Sequence, residues 1–291
     1  MRHFSAAEVL HPHLRTQVQQ LRELRGPVRA DEPDAVHRMR VTTRRLRSAL
    51  ATFRPMLTAD SSRALRDELK WLAGVLGEAR DAEVLRDRLA GLGPQELAAR
   101  LDLRHDEGIA HVRQALDSPP CLHLFDALDA LVEEPPWAPE AQAAAHDVLG
   151  VGVRRDWKRL ARRAKAAGRA RTDADRDLLL HEVRKATKRL RHAAEVVVPV
   201  FGSPADHLAA AAKRLQKTLG EHQDSARCQQ LLREFASETT LAGDAELALL
   251  RLLVHEQVRA ERAREQYGPA LDSLRARRPS VSFRRRARPR A

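Results

Sequence analysis

The stretch His37-Arg38-Met39-Arg40-Val41-Thr42-Thr43-Arg44-Arg45-Leu46-Arg47 is written a second time, 144 residues on, as His181-Glu182-Val183-Arg184-Lys185-Ala186-Thr187-Lys188-Arg189-Leu190-Arg191. His, Arg, Thr, Arg, Leu and Arg recur in register, and Lys188 answers Arg44. At about 100° per residue, His37, Arg40, Arg44 and Arg47 fall on one side of a helix, and Met39, Leu46, Leu50 and Phe53 on the other. The second copy sorts in the same way, with His181, Arg184, Lys188 and Arg191 opposite Val183, Leu190, Ala194 and Val197. Each copy is therefore an amphipathic helix with one face for a core and one crowded cationic face, on which Arg40 and Arg184 are expected to be exposed. Packing alone does not require that crowding.

The flanking sequence extends the pattern. Val9, Leu10, Leu14, Val18, Leu21 and Leu24 recur at helical spacing over 6–25, and Gly26-Pro27 stops that helix. Asp31-Glu32-Pro33-Asp34 starts the first key helix, which runs to about Phe53. A long helix opens at Asp60-Ser61-Ser62 and reaches Gly91, followed by helices over about 95–116 and 121–132. The stretch from Glu133 through Pro135-Pro136 to Pro139 reads as a linker. Beyond it lie a helix over about 140–167, the second key helix capped by Thr172-Asp173, and a long helix opening at Ser203-Pro204. A helix over about 243–267 and a short one complete the set, and no strand pattern emerges.

The 61–90 helix is also written twice. Lys70, Leu72, Leu76, Gly77, Glu78 and Asp81 are answered by Lys213, Leu215, Leu219, Gly220, Glu221 and Asp224. Glycine inside a helix costs roughly 1 kcal/mol against alanine, so its repetition beside a lysine marks a place where backbone or ligand comes close. The expected fold is all-α: two pseudo-symmetric antiparallel helical bundles from an internal duplication, covering 1–134 and 135–277. An Arg-rich tail, 278–291, reads as disordered.

Composition limits what such a protein can bind. The net charge is +12 and the pI near 10.7, which point to a polyanionic partner. Lysine fills seven positions and arginine supplies the other cations, in keeping with the planar guanidinium fork that matches phosphate oxygens. Aromatic residues are 3% of the chain, so stacking platforms for nucleic-acid bases are scarce and a nucleic-acid partner is disfavoured. Two cysteines make neither a disulfide framework nor a metal quartet. No stretch approaches the roughly 20 apolar residues of a membrane span, and no signal-peptide core opens the chain. A soluble cytoplasmic protein without cofactor or metal is the expectation, and the oligomeric state is left open.

If the two key helices face each other across a twofold axis, His37, Arg40, Arg44, Arg47, His181, Arg184, Lys188 and Arg191 line one basic cleft, with Lys70 and Lys213 on its walls. A flexible chain of phosphates needs such a trough and has no bases to be read. The two histidines remain open to a structural reading as well as a ligand-binding one. Glu78, Asp81, Glu221 and Asp224 raise a rival, an enzyme acting on polyphosphate or another phosphorylated substrate, although no nucleophile or metal cluster accompanies them. A nucleic-acid-binding helical protein is the other rival.

The V-H-x-M-R-V-x-x-R-R-L-R pattern at 36–47, its copy at 181–191, and L-G-E-x-x-D at 76–81 and 219–224 resemble the CHAD family, the conserved-histidine α-helical domains. The resemblance spans the chain apart from the Arg-rich tail. It implies helical bundles with internal twofold symmetry and a basic central groove that binds inorganic polyphosphate without catalysis, and association with polyphosphate granules. It places the binding residues at His37, Arg40, Arg44, Arg47, Lys70, His181, Arg184, Lys188, Arg191 and Lys213. The copies depart where Gln223 answers Arg80, so Arg80 is left out of that set. Family members often follow a triphosphate-tunnel domain, and its E-x-E-x-K motif does not occur here.

Overall fold

The computed structural model describes residues 4–241 and 243–279. The expected disordered tail, from residue 280 on, lies outside the described residues. The helices are α1 (Ala6–Glu23), the short α2 (Arg25–Arg29), α3 (Ala35–Thr52), α4 (Ala59–Leu89), α5 (Gln95–Asp117) and α6 (Pro119–Glu133), then α7 (Ala145–Ala167), α8 (Asp173–Val196), the one-turn α9 (Val198–Phe201), α10 (Ser203–Glu238) and α11 (Asp244–Arg275). Among the described residues there is no strand, only isolated bridges at Ser5–Ala144 and Leu57–Trp137. The fold is all-α.

Local chemistry sets the ends of the helices. Ser5 and Glu8 form a reciprocal capping box at α1. The Thr172 hydroxyl accepts the Asp175 N–H at 3.1 Å, the cap read from the sequence for the second key helix. Gly202 and Gly243 turn the chain into α10 and α11 with φ of +59°, a region open to glycine. Two boundaries differ from expectation. Residues 140–144 do not start α7, because the Ala143 carbonyl accepts the Ala6 N–H and the Ala145 N–H donates to Phe4. The last helix does not stop at 267 but continues through Pro269 to Arg275, because Tyr267, Ala270, Leu271 and Leu274 pack onto the core. Burial there outweighs the hydrogen bond that the proline removes.

Three apolar clusters hold the helices together. One joins α7, α8 and α10 with Ala6, Val9 and Leu10 of α1 and the end of α11. A second joins the later turns of α1 with α3, α4, α5 and α6, around Met39, Leu46, Leu72, Leu76 and Phe125. A third packs Leu89, Leu97 and Leu101 against Cys228, Leu232, Phe235 and Leu252. Helix α1 thus serves two cores, and the third core ties α4 and α5 to α10 and α11.

Between the key helices, α3 and α8, the contacts run in opposite directions along the two chains. Ser48 meets His192 at 3.2 Å, Arg45 faces Glu195 at 3.7 Å, and Arg189 donates to the Ala51 carbonyl at 2.7 Å. A buried polar joint from α7 locks this crossing. Asp156, 1% exposed, accepts from the Thr52 hydroxyl at 2.5 Å and from Arg189 Nε at 3.0 Å.

Removing one partner of such a buried pair strands the other. Asp156→Ala should lower unfolding free energy by about 3 kcal/mol, read as a lower denaturant midpoint with an unchanged slope.

Candidate functional site

Helix α3 carries His37, Arg40, Arg44 and Arg47 along one face, and α8 carries His181, Arg184, Lys188 and Arg191; all eight are half-buried. This corrects the expectation that Arg40 and Arg184 are exposed. The cause lies in the neighbouring helices. Arg40 lies over Gly77 of α4, where a Cβ would sit 3.8 Å from its Nε and Nη2. Arg184 lies over Gly220 of α10, where a Cβ would sit 3.7 Å from its Nη2. The duplicated glycines make room for guanidinium groups laid against a helix surface.

The centre of the cluster draws on both key helices. Burial first, then the charges of Arg40, Arg184, Arg191 and Arg45, push Arg44 down to about 9, so it stays charged at neutral pH. Burial, then Arg184, Arg44 and Arg40, push Lys188 down to about 6, which leaves a neutral amine at pH 7. Arg40 and Arg184 are lowered first by burial and then by neighbouring guanidinium groups, Arg227 and Arg80 for Arg40 and Arg40 and Arg227 for Arg184, while Asp81 and Asp224 act in the opposite sense. The Nε atoms of Arg44 and Arg184 are buried without a hydrogen-bond partner. Arg184 makes one hydrogen bond, from Nη1 to Gln223 at 2.6 Å. Among the described residues, Arg40, Arg44, Arg47 and Lys188 make no hydrogen bond or ion pair. These are donors and charges with nothing of the protein's own to satisfy them.

The remaining expected residues sit further out. Arg47 is lowered by burial and supported by Asp67 of α4. Arg191 is tethered to Glu195 at 2.7 Å and to Gln216 at 3.2 Å. His37 is lowered by burial, then by Arg80, and His181 by burial against an opposing hydrogen bond with Gln223. Both imidazoles are neutral at pH 7 and present a single ring N–H each. Lys70 and Lys213 are exposed, two helical turns before Gly77 and Gly220 on the same faces.

Asp81 and Asp224 lie close enough to Arg40 and Arg184 to favour their charged forms, while the duplicated glutamates are engaged elsewhere. Glu78 faces His111 at 3.3 Å, Glu221 binds Arg88 at 2.7 Å, and Asp81 pairs with Arg227. Asp224, raised by burial against the pull of Arg184, makes no ion pair among the described residues. Among the described residues, no three His, Cys, Asp or Glu converge to hold a metal ion, and no helix is long and apolar enough to cross a membrane. Arg227, whose charge reaches Arg40 and Arg184, was missed from sequence because Val84 stands at its place in the first copy. His192, 3% exposed, was missed for the same reason: Ser48 is its counterpart.

Comparison with known proteins agrees with the sequence reading. The model of the CHAD domain matches residues 12–233. The chain belongs to the CHAD family. Two uncharacterised Mycobacterium tuberculosis proteins, from strains CDC 1551 / Oshkosh and ATCC 25618 / H37Rv, are each 38% identical over 280 residues, 92% of this chain and 53% of theirs. The chain thus spans about half the length of the curated relatives it matches. The CHAD domain from the plant Ricinus communis is 28% identical, with a TM-score of 0.71 over 95% of this chain and 92% of that one. PptA from Streptomyces chartreusis, at 21% identity, shares the fold with a TM-score of 0.74 over 92% of this chain and all of that one.

The CHAD cluster carries a pH signature. Folding disfavours the protonated form of Lys188, lowering it from 10.5 to about 6. The native state then binds fewer protons than the unfolded state across that window, so this residue makes stability rise with pH from about 6 towards 10.5. Lys188→Met should flatten the rise of the denaturant midpoint over this range and leave the free protein more stable at pH 6.

Proposed function

We propose that this CHAD protein binds inorganic polyphosphate, without turning it over, in one basic cleft that draws on both sequence copies. In this reading 1–134 and 135–277 are halves of an internal duplication related by a pseudo-twofold axis near Ser48 and His192. His37, Arg40, Arg44, Arg47, His181, Arg184, Lys188 and Arg191 then line the cleft, and Lys70 and Lys213 extend it along the walls. The cellular setting that fits is the cytoplasm, at polyphosphate granules. The observation that carries the reading is the set of unpartnered cations at the centre. Arg40, Arg44 and Arg184, with Lys188, are crowded, partly desolvated, and lack acidic partners of their own.

A polyanion laid along these residues supplies the missing acceptors and relieves mutual repulsion. A run of phosphates also matches the spacing better than a single phosphate, because cations recur every turn or two along both helices. Exposed aromatic rings would favour nucleic acid, but among the described residues the large exposed ones, Phe4 and Trp71, lie on neither α3 nor α8. Hydrolysis would need a carboxylate or metal centre at the cluster. Asp224 stands at the cluster with its ionisation resisted by burial, while Glu221 and Asp81 are engaged by Arg88 and Arg227.

Titration with polyphosphate of defined length tests the binding. With about six cations engaged, the log–log salt slope should be roughly −4. Arg40→Gln with Arg184→Gln should weaken binding by about a hundredfold at fixed salt while the helical signal stays intact. A flat salt response, stronger binding of single-stranded DNA in competition, or phosphate release with Mg²⁺ would defeat the reading.

Binding should also take up a proton. Above pH 6 the free Lys188 amine is neutral, and a neighbouring polyanion favours its charged form. Calorimetry at pH 7.5 in buffers of different ionisation enthalpy should show uptake of close to one proton per site, lost in Lys188→Met. Affinity should accordingly fall as pH rises from 6 towards 9.

A further inference from the structure

Six of the seven lysines, Lys70, Lys158, Lys165, Lys185, Lys213 and Lys217, stand exposed on the surface. Lys188 alone is half-buried, and its environment is unlike that of any other amine in the chain. Arg184 precedes it by one turn of α8, and Arg191 and the neutral His192 follow it on the same helix. Arg40 and Arg44 face it from α3, and from α10 it faces Asp224, the one acidic group among these neighbours. That carboxylate is shared with Arg184, and its own ionisation is resisted by burial. No hydrogen bond or ion pair engages the Lys188 amine among the described residues.

This arrangement has two chemical consequences. Burial, and after it the crowded cations, deny the amine its proton, so its lone pair is available at neutral pH, where an ordinary lysine near 10.4 is neutral in only about one molecule in a few thousand. The same guanidinium groups would fix a phosphate group beside that lone pair. The buried Nε atoms of Arg44 and Arg184 are unused donors at this place. A neutral nucleophile flanked by phosphate anchors is suited to a compound that joins a phosphate to an electrophilic carbon.

We propose that Lys188 is a covalent modification site for acyl phosphates, which acylate it and thereby weaken polyanion binding. The phosphate of the donor docks on Arg40, Arg44 and Arg184, which brings the acyl carbon to Nζ. The nitrogen lone pair attacks the carbonyl carbon, and a new C–N bond forms. The C–O bond to phosphate then breaks, and its electron pair leaves with the phosphate. The surplus proton on nitrogen passes to the departing phosphate, so amine and acyl phosphate become amide and hydrogen phosphate. The guanidinium groups stabilise the charge that grows on the leaving group. The resulting amide cannot take up the proton that polyanion binding calls for, and its acyl group occupies the middle of the cleft. A bound polyphosphate would shield the amine and protonate it, so an occupied site resists modification. The shielding and the loss of binding rest on the function proposed above; the reactivity of Lys188 does not.

The test is incubation of the whole chain with acetyl phosphate between pH 6 and 8.5, followed by peptide mass spectrometry of each lysine. Lys188 should be acetylated at least roughly tenfold faster at pH 7 than any of the six exposed lysines, given its greater neutral fraction. Its rate should level off above pH 7 while theirs keep rising. The preference should fall in Arg44→Met and disappear under saturating polyphosphate. With p-nitrophenyl acetate, a donor without phosphate, the preference should be smaller. A Lys188 rate at or below that of the exposed lysines with acetyl phosphate overturns the proposal, as does an equal or greater preference with the phosphate-free donor. Polyphosphate titration of the unmodified chain separates the two ideas. A preferred Lys188 in a chain that binds no polyphosphate refutes only the binding function, and binding without that preference refutes only the modification site.

Discussion

The constraint on which this molecule turns is repulsion among like charges held out of water. Burial is the largest influence on Arg40, Arg44, Arg184 and Lys188, and neighbouring guanidinium groups further disfavour the charged form of each. Such a cluster opposes folding, so the rest of the structure has to hold it in place. Three apolar cores do so, with Leu46 and Leu190 on the backs of the key helices fully buried. The polar joint at Asp156 fixes the crossing from a third helix. Stability is concentrated away from the site, and the site itself is left unsatisfied.

Glycine and acid placement refine this. Gly77 and Gly220 lower the walls of α4 and α10 just where Arg40 and Arg184 must lie. A larger side chain at either place would push the guanidinium away from the helix surface. Asp81 and Asp224 temper the repulsion without neutralising it, since Asp81 is engaged by Arg227 and burial raises Asp224. The cluster is therefore held intermediate between a closed salt-bridge network and bare repulsion, as the polyanion binding proposed above would require.

Much of this was legible in the sequence because it was written twice. The periodicity of His37 to Arg47 and of His181 to Arg191 separated core face from cationic face, and the buried Met39, Leu46, Val183 and Leu190 follow that division. The paired glycines signalled a close approach, and the structure supplies its object, an arginine side chain. What the sequence hid was of two kinds. Features without a counterpart escaped a reading built on repetition, as with Arg227 and His192. Features set by tertiary burial escaped a reading built on periodicity. The half-buried state of the cations comes from α4 and α10, and the passage of α11 through Pro269 comes from Leu271 and Leu274 packing beneath it. The contribution of Asp156 was hidden for a similar reason, since its partners Thr52 and Arg189 come from two other helices.

The meeting of Ser48 with His192 has a consequence for how such a protein can evolve. On a true twofold axis between separate identical subunits, an axial residue must face a copy of itself, so one substitution always makes two changes in the same spot. Two facing histidines there would crowd a buried place already surrounded by cations, and two serines would leave less to fill it. Once both halves lie in one chain, each can change alone, and a large imidazole can sit against a small hydroxyl. If the two halves are the duplicated copies proposed above, fusion in one chain would free the centre of the molecule from self-complementarity and let the copies differ there.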